Sequence, residues 1–375
     1  MPARDWLGDR KLNLVVKVGS SSVTDDNFQI SDAVLDSICD QILEVRAAGH
    51  RVALVTSGAI ALGLGRLGIR GERPSDMVLL QAASALGQVE LIAAYATKFA
   101  NRGIRVGQIL LSASDFMERR QYLSAKSTLT RMLDLGIVPI INENDAVADD
   151  EIRLGDNDRI AALVAGLVGA DVLVLLTDQE GLFSADPRRF DDATLIEQVE
   201  EVTRELASLA GGKGTNRGSG GMTTKVMAAR IAAWSGVETL IAAAASPFSI
   251  TAAAARVPGV GTWIAKSKRR LPARKLWIAF ALPSRGYVKI DAGAKDAICS
   301  RGSSLLAVGV KESQGNFAAE EAIEVRGPEG EVVAKGLTRL GSQEVAMELL
   351  RRPNASDGVF SSIVIHRDDM ILLHE

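Results

Sequence analysis

LNLVVKVGSSS, residues 12–22, is an apolar run interrupted by one lysine and closed by a glycine and three serines. A buried strand opening onto a loop has this composition, because apolar residues on both faces mean burial on both faces. The chain then repeats the theme. Residues 31–48 space Val34, Ile38, Ile42 and Val45 three or four apart, with Ser31 at an N-cap position and Gly49 just past the end. That is the rhythm of an amphipathic helix. Further strands are expected at 51–56, 104–110, 138–141, 172–176 and 239–242, and helices at 74–100, 122–135, 158–168 and 222–235. Alternation of this kind implies an α/β fold, a mostly parallel open sheet sandwiched by helices, whose ligands bind beyond the carboxyl ends of the strands. The strand ends at 17–22, 56–59, 142–145 and 177–178 therefore mark the expected site.

Past this unit the rhythm changes. KSKRRLPARK, residues 266–275, holds six positive charges and no acid, the composition of an exposed linker. Beyond it LWIAFAL, YVKIDAG, SLLAVGV, AIEVRG and VVAKGL are separated by turn-forming residues and read as strands of a small, mostly β domain. The expected division is a first domain at 9–262, a linker at 263–277, a second domain at 278–358 and a tail at 359–375.

A chain of 375 residues suits one large and one small domain. With 47% hydrophobic and 24% charged residues it is neither disordered nor collagen-like. A formal net charge of −3 removes the general basic surface on which nonspecific nucleic-acid binding relies. Aromatics at 4% against 35 glycines favour small polar or phosphorylated ligands over aromatic-lined slots. Cys39 and Cys299, with His50, His366 and His374, are too scattered for a zinc site or a disulfide framework. The N-terminal MPARDWLGDRK is charged where a signal peptide needs an apolar core, and the apolar runs break short of a ~20-residue span. The expectation is a cytoplasmic protein with no membrane partner.

Three motif matches lack their context. Gly63, Gly65 and Gly68 spell GxGxxG, but about seven residues after the strand ends, not directly after it as a dinucleotide site needs. His366, Arg367 and Asp368 have no asparagine at kinase spacing, and Gly211, Gly212 and Lys213 lack the first glycine of a Walker loop. Four others survive. Lys17 followed by Gly19, Ser20 and Ser21 joins a cation to backbone donors that can approach a phosphate. Ser57, Gly58 and Ala59 offer a hydroxyl and free backbone at the same sheet edge. The acid-rich NENDAVADDEIRLGDND, residues 142–158, begins at a strand end, where carboxylates could capture an amino group. RGSGGMTTK, residues 217–225, is a glycine-rich loop running into a helix with Lys225 in its first turn. A cation there opposes the helix dipole and suggests an anionic ligand. Together these describe phosphoryl transfer without a P-loop.

Here the chain resembles the amino acid kinase family, and within it the glutamate 5-kinases. The resemblance runs through KVGSSSVT at 17–24, VTSGAIALG at 55–63, VPIINENDAV at 138–147, GDND at 155–158, LLTDQEGLFSADPR at 175–188 and GSGGMTTK at 218–225. SRGSSLLAVGV at 300–310 and the late HRDDM are similar to the PUA domain that bacterial members append. The resemblance implies that Lys17 and Lys225 neutralise the phosphoryl group in flight and that Asp158 orients them. It places Gly19, Ser57, Gly58, Asp145 and Asn157 around glutamate. Around ATP it places Lys17, Thr177, Asp178, Ser219, Gly220, Gly221, Met222, Thr223, Thr224 and Lys225. Two departures are conservative: Ser20 and Ser219 stand where the family has threonine.

The implied reaction is ATP-dependent phosphorylation of the γ-carboxylate of L-glutamate, with Mg²⁺, as the first step of proline synthesis. A carboxylate with a pKa near 4.3 is already ionised at pH 7 and needs no general base. Charge is the obstacle, so lysines, Mg²⁺ and loop N–H donors should surround an in-line geometry. The resemblance also implies proline as feedback inhibitor, a homodimer or homotetramer, and a γ-glutamyl phosphate reductase to take the labile product. Alternatives are an N-acetylglutamate or aspartate kinase, or an RNA-binding protein acting through the PUA-like domain. Residues 276–375 hold 11 Lys plus Arg against 14 Asp plus Glu, a poor footprint for nucleic acid.

Overall fold

The structure is a computed structural model that describes residues 10–69, 71, 74–116, 118–147, 157–187, 189–190, 192–203, 206, 221–268, 270–280, 282, 284–350 and 362–373. It divides into two compact units, Met1–Arg270 and Leu271–Glu375. In the first, strands β1 (Asn13–Val18), β2 (Arg51–Val55), β3 (Val106–Leu111), β4 (Val138–Glu143), β5 (Val172–Thr177), β6 (Gln198–Val199), β7 (Glu238–Ala243) and β8 (Thr262–Ile264) form one sheet. Its order is β3-β4-β2-β1-β5-β7-β8-β6. Every pairing is parallel except β7 with β8. β1 lies between β2 and β5 and is buried along Leu14–Val18 on both faces, which is why its sequence is apolar there except at Lys17.

Helices α1 (Ser20–Val23), α2 (Asp32–Ala47), α3 (Ala59–Arg66), α4 (Met77–Ala100), α5 (Arg119–Asp134), α6 (Asn157–Val168), α7 (Met222–Trp234) and α8 (Ser249–Ala255) accompany these strands. The expected helix at 31–48 is α2. Ser31 occupies its N-cap position, but its side chain makes no capping hydrogen bond. Asp76 does cap α4, accepting from the Leu79 amide at 3.2 Å. At 24 residues and a mean hydropathy of 1.5 over its most apolar window, α4 is long and apolar enough to cross a bilayer, unlike the shorter runs expected. It is a packing helix here, burying Leu80, Ala83, Leu91, Tyr95 and Phe99.

The second unit holds a six-stranded sheet, ordered β10-β14-β13-β12-β9-β11. Its strands are β9 (Gly286–Ile290), β10 (Leu305–Leu306), β11 (Val310–Gly315), β12 (Ala322–Arg326), β13 (Val332–Thr338) and β14 (Ile363–Leu372). It has its own core around Val288, Ile290, Ile323, Val325, Val333 and Val364. One expected strand is a helix: LWIAFAL falls mostly in α9 (Ala273–Phe280). Pro272 opens that helix, its carbonyl accepting from the amides of Lys275 and Leu276. A short run apolar on every side fits strand or helix alike, and proline favours a helix start. Two more helices, α10 (Ala292–Cys299) and α11 (Ser342–Leu350), sit among the strands.

Candidate active site

Because β1 lies between β2 and β5, its carboxyl end has the ends of β2 and β4 on one side and that of β5 on the other. Lys17 stands in that end, 5% exposed. Lysine so deep in a strand is costly unless its ammonium is paired. It is paired: Lys17 Nζ lies 2.7 Å from Asp158 Oδ1. Asp158 is in the first turn of α6, where a helix favours negative charge, and is 2% exposed. From the first turn of α7, Lys225, 6% exposed, brings its Nζ to 3.2 Å from Asp158 Oδ2. Thr224 Oγ1 donates to that same oxygen at 2.7 Å. One buried carboxylate thus holds two buried ammonium groups.

Burial alone would raise the Asp158 pKa, yet the two ammonium groups and the Thr224 hydroxyl outweigh it and hold the carboxyl well below the ordinary carboxylate range. Two buried ammonium groups gathered on one carboxylate form a cluster that can draw an anion between Lys17 and Lys225.

On the β2 and β4 side, Gly58 has φ 109° and opens α3, a left-handed conformation that glycine adopts without a Cβ penalty. Ser57 precedes it, half-buried. Asp145, in a 3₁₀ turn at Asp145–Val147, is 4% exposed and accepts from Ser84 Oγ at 3.4 Å. Asn157 Oδ1 accepts from the Glu143 amide at 3.1 Å, which ties the end of β4 to the start of α6 next to Asp158. Gly19 lies beside the lysine, and a Cβ built there would sit 3.7 Å from Lys17 Nζ.

On the β5 side, Thr177 is buried and its Oγ1 donates to Asp178 Oδ1 at 3.0 Å, while Asp178 is exposed. Gly221 precedes α7 in an extended conformation, and its carbonyl accepts from Thr224 Oγ1 at 2.8 Å. Met222 and Thr223 fill the first turn. Ser219 and Gly220, and the acidic loop at 148–156, lie outside the described residues.

Among the residues singled out from sequence, the structure brings Lys17, Asp158, Thr224 and Lys225 into direct contact. It sets Gly19, Ser57, Gly58, Asp145 and Asn157 at neighbouring strand ends, and Thr177 and Asp178 across β1 from them. Ser84 and Gln88 were not singled out from sequence, whereas Asn142 opens the acid-rich stretch that was; Asn142 Nδ2 donates to Gln88 Oε1 and Ser84 Oγ to Asp145 Oδ2. Their signal was present: Ser84 and Gln88 are two polar residues four apart in an otherwise apolar helix segment.

The sequence profile of the amino acid kinase family matches residues 13–243, and that of the PUA domain matches residues 286–348. A glutamate 5-kinase of Burkholderia multivorans (strain ATCC 17616 / 249) is 45% identical over 375 residues, covering 99% of this chain and 100% of that protein. One of Ralstonia nicotianae (strain ATCC BAA-1114 / GMI1000) is 43% identical over 377 residues, covering 100% of both chains. Among solved structures, the isopentenyl phosphate kinase of T. acidophilum aligns with a TM-score of 0.47 at 19% identity, over 67% of this chain and 99% of that one.

Proposed function

The chain belongs to the amino acid kinase family and, within it, to the glutamate 5-kinases, and on that premise we propose that it transfers the γ-phosphoryl group of MgATP to the γ-carboxylate of L-glutamate, forming γ-glutamyl phosphate and ADP. The observation that carries this reading is the buried Asp158 carboxylate holding Lys17 and Lys225 at 2.7 and 3.2 Å. The acceptor carboxylate is ionised at neutral pH, so no proton has to be removed before it attacks phosphorus. Repulsion between two anions is the barrier. Two fixed ammonium groups in a water-poor site stabilise the charge on the transferring oxygens without reorganising at the moment of reaction. Asp158 keeps both lysines in place.

The family resemblance supports one placing of the two substrates across β1. Glutamate lies on the β2 and β4 side, with its ammonium on Asp145 and with Gly19, Ser57, Gly58 and Asn157 around it. ATP lies on the β5 side, along Thr177, Asp178 and the loop 219–225. Among the described residues no three His, Cys, Asp or Glu side chains gather as a metal cage. Mg²⁺ would arrive on the nucleotide's phosphates and keep most of its waters. A buried acid at position 145 favours a free amino group over an acetylated one. L-proline carries the same ammonium and carboxylate head and competes for the same end of the pocket. We assign the enzyme to the cytoplasm as a homodimer or homotetramer, upstream of a reductase that consumes the labile acyl phosphate in proline synthesis.

The test is ADP release by the purified chain with MgATP and L-glutamate, with hydroxylamine present to trap the acyl phosphate as a hydroxamate. Glutamate-dependent ADP release with hydroxamate formation is the expected result. Turnover with N-acetyl-L-glutamate but not L-glutamate would overturn the assignment.

A further inference from the structure

The inward face of α4 carries two buried polar side chains one turn apart, Ser84 at 3% and Gln88 at 9% exposure. Residues four apart share a helix face, and this face meets the end of β4. Ser84 Oγ donates to Asp145 Oδ2, and Asn142 Nδ2 donates to Gln88 Oε1 at 2.7 Å. The orientation of the Gln88 amide follows from its neighbour. Asn142 Oδ1 accepts the Glu143 amide at 2.9 Å, so Asn142 presents its NH₂ to Gln88, and Gln88 must answer with oxygen. The Gln88 Nε2 end is then left buried with no hydrogen-bond partner among the described residues. Buried donors without partners are rare in folded proteins and call for a reason.

Its position is also held firmly. A Cβ on Gly63 would overlap the Ala83 carbonyl oxygen, and one on Gly87 would overlap that of Ala59. Helices α3 and α4 therefore touch through backbone, and Gln88 is locked relative to the Ser57–Gly58 turn that opens α3.

An α-amino acid presents an ammonium and an α-carboxylate from the same carbon. If the site takes glutamate as proposed above, Asp145 meets the ammonium, and the α-carboxylate needs donors beside it. We propose that Gln88 Nε2 donates to the substrate's α-carboxylate, which makes Gln88 a specificity-determining residue for a free amino-acid head. A neutral carboxamide there leaves Lys17 and Lys225 to draw the other carboxylate. The site then distinguishes the two ends of a substrate that carries a carboxylate at each.

The test compares L-glutamate with isoglutamine, in which the α-carboxylate is an amide and the γ-carboxylate is intact. Gln88→Glu keeps the oxygen that serves Asn142 and replaces the donor with an acceptor. It should raise the KM for L-glutamate about 30-fold and shift the kcat/KM ratio at least about tenfold toward isoglutamine, with the KM for ATP within about threefold. An unchanged ratio overturns the proposal, including the case where both substrates are lost in parallel, which is what a merely structural Gln88 would give. Should the melting curve show Gln88→Glu unfolded, Gln88→Met serves. It should raise the glutamate KM about tenfold with that for isoglutamine within about threefold, and an equal loss on both is again the refuting result. Turnover of the wild-type enzyme on L-glutamate is the separate check on the function itself, so the failure of one reading is distinguishable from the failure of the other.

Discussion

Replacing Asp158 by asparagine removes one charge and almost no volume. In the wild type its oxygens lie 2.7 and 3.2 Å from the ammonium groups of Lys17 and Lys225. At an effective dielectric of ~20 the gross attraction of those two contacts is about 11 kcal/mol, most of which offsets the desolvation of three buried ions. Removing one partner of a buried pair typically costs about 3–5 kcal/mol, because the remaining charges stay buried without compensation. Asparagine keeps an oxygen for Thr224, so a loss of about 4 kcal/mol is expected, equivalent to roughly 10 °C in melting temperature for a unit of this size.

The pH dependence has a definite sign. The folded-state pKa of Asp158 is depressed, so its contribution is complete above the unfolded value near 3.9 and is lost as pH falls through the folded value. The gap between wild type and Asp158→Asn should be flat from about pH 6 to 8 and close only in acid, below about pH 4. Bound ATP supplies the missing negative charge, so nucleotide should raise the variant's melting temperature more than the wild type's. Turnover should fall about 10²-fold or more, since the lysines are no longer held in register. Differential scanning calorimetry across pH, with and without MgATP, reads the stability, and coupled ADP release reads the turnover. A variant melting within about 2 °C of wild type and turning over within about threefold would refute the argument that Asp158 organises the site.

Lys17→Ala and Lys225→Ala should each lower kcat by about 10² or more with the glutamate KM within a few fold, because their charge matters most as the phosphoryl group moves; near-normal steady-state turnover in either folded variant removes that lysine from the mechanism. Asp145→Ala and Asn157→Ala should raise the glutamate KM about tenfold or more and leave the ATP KM little changed; equal effects on both substrates would place these residues elsewhere in the mechanism. A chain ending at Arg270 retains every strand-end residue assigned to chemistry, and α9 packs on strands β13 and β14 of its own unit. It should stay soluble and turn over within about tenfold of the full chain, and a well-folded fragment with no glutamate-dependent ADP release would show that the second unit completes the enzyme.

Much of this protein was legible in its sequence. The run at 12–22 with its single lysine, and the helical and strand periods that follow, are local properties of the chain, so the layered α/β fold could be read from neighbouring residues alone. The candidate site was legible where it is contiguous: a strand end, a glycine turn or a helix start carries its candidate residues within a few positions. Sequence did not show that β1 lies between β2 and β5, because strand order is set by which apolar faces bury best against one another across the whole chain. Only that order lets Lys17 and Lys225 share the Asp158 carboxylate. Nor did it single out Gln88, since an amide on a mostly apolar helix that also carries Gln81 looks like a tolerated polar side chain until the end of β4 is packed against it. LWIAFAL suits strand or helix equally by composition; Pro272 ahead of it favours a helix start, and the helix packs on β13 and β14.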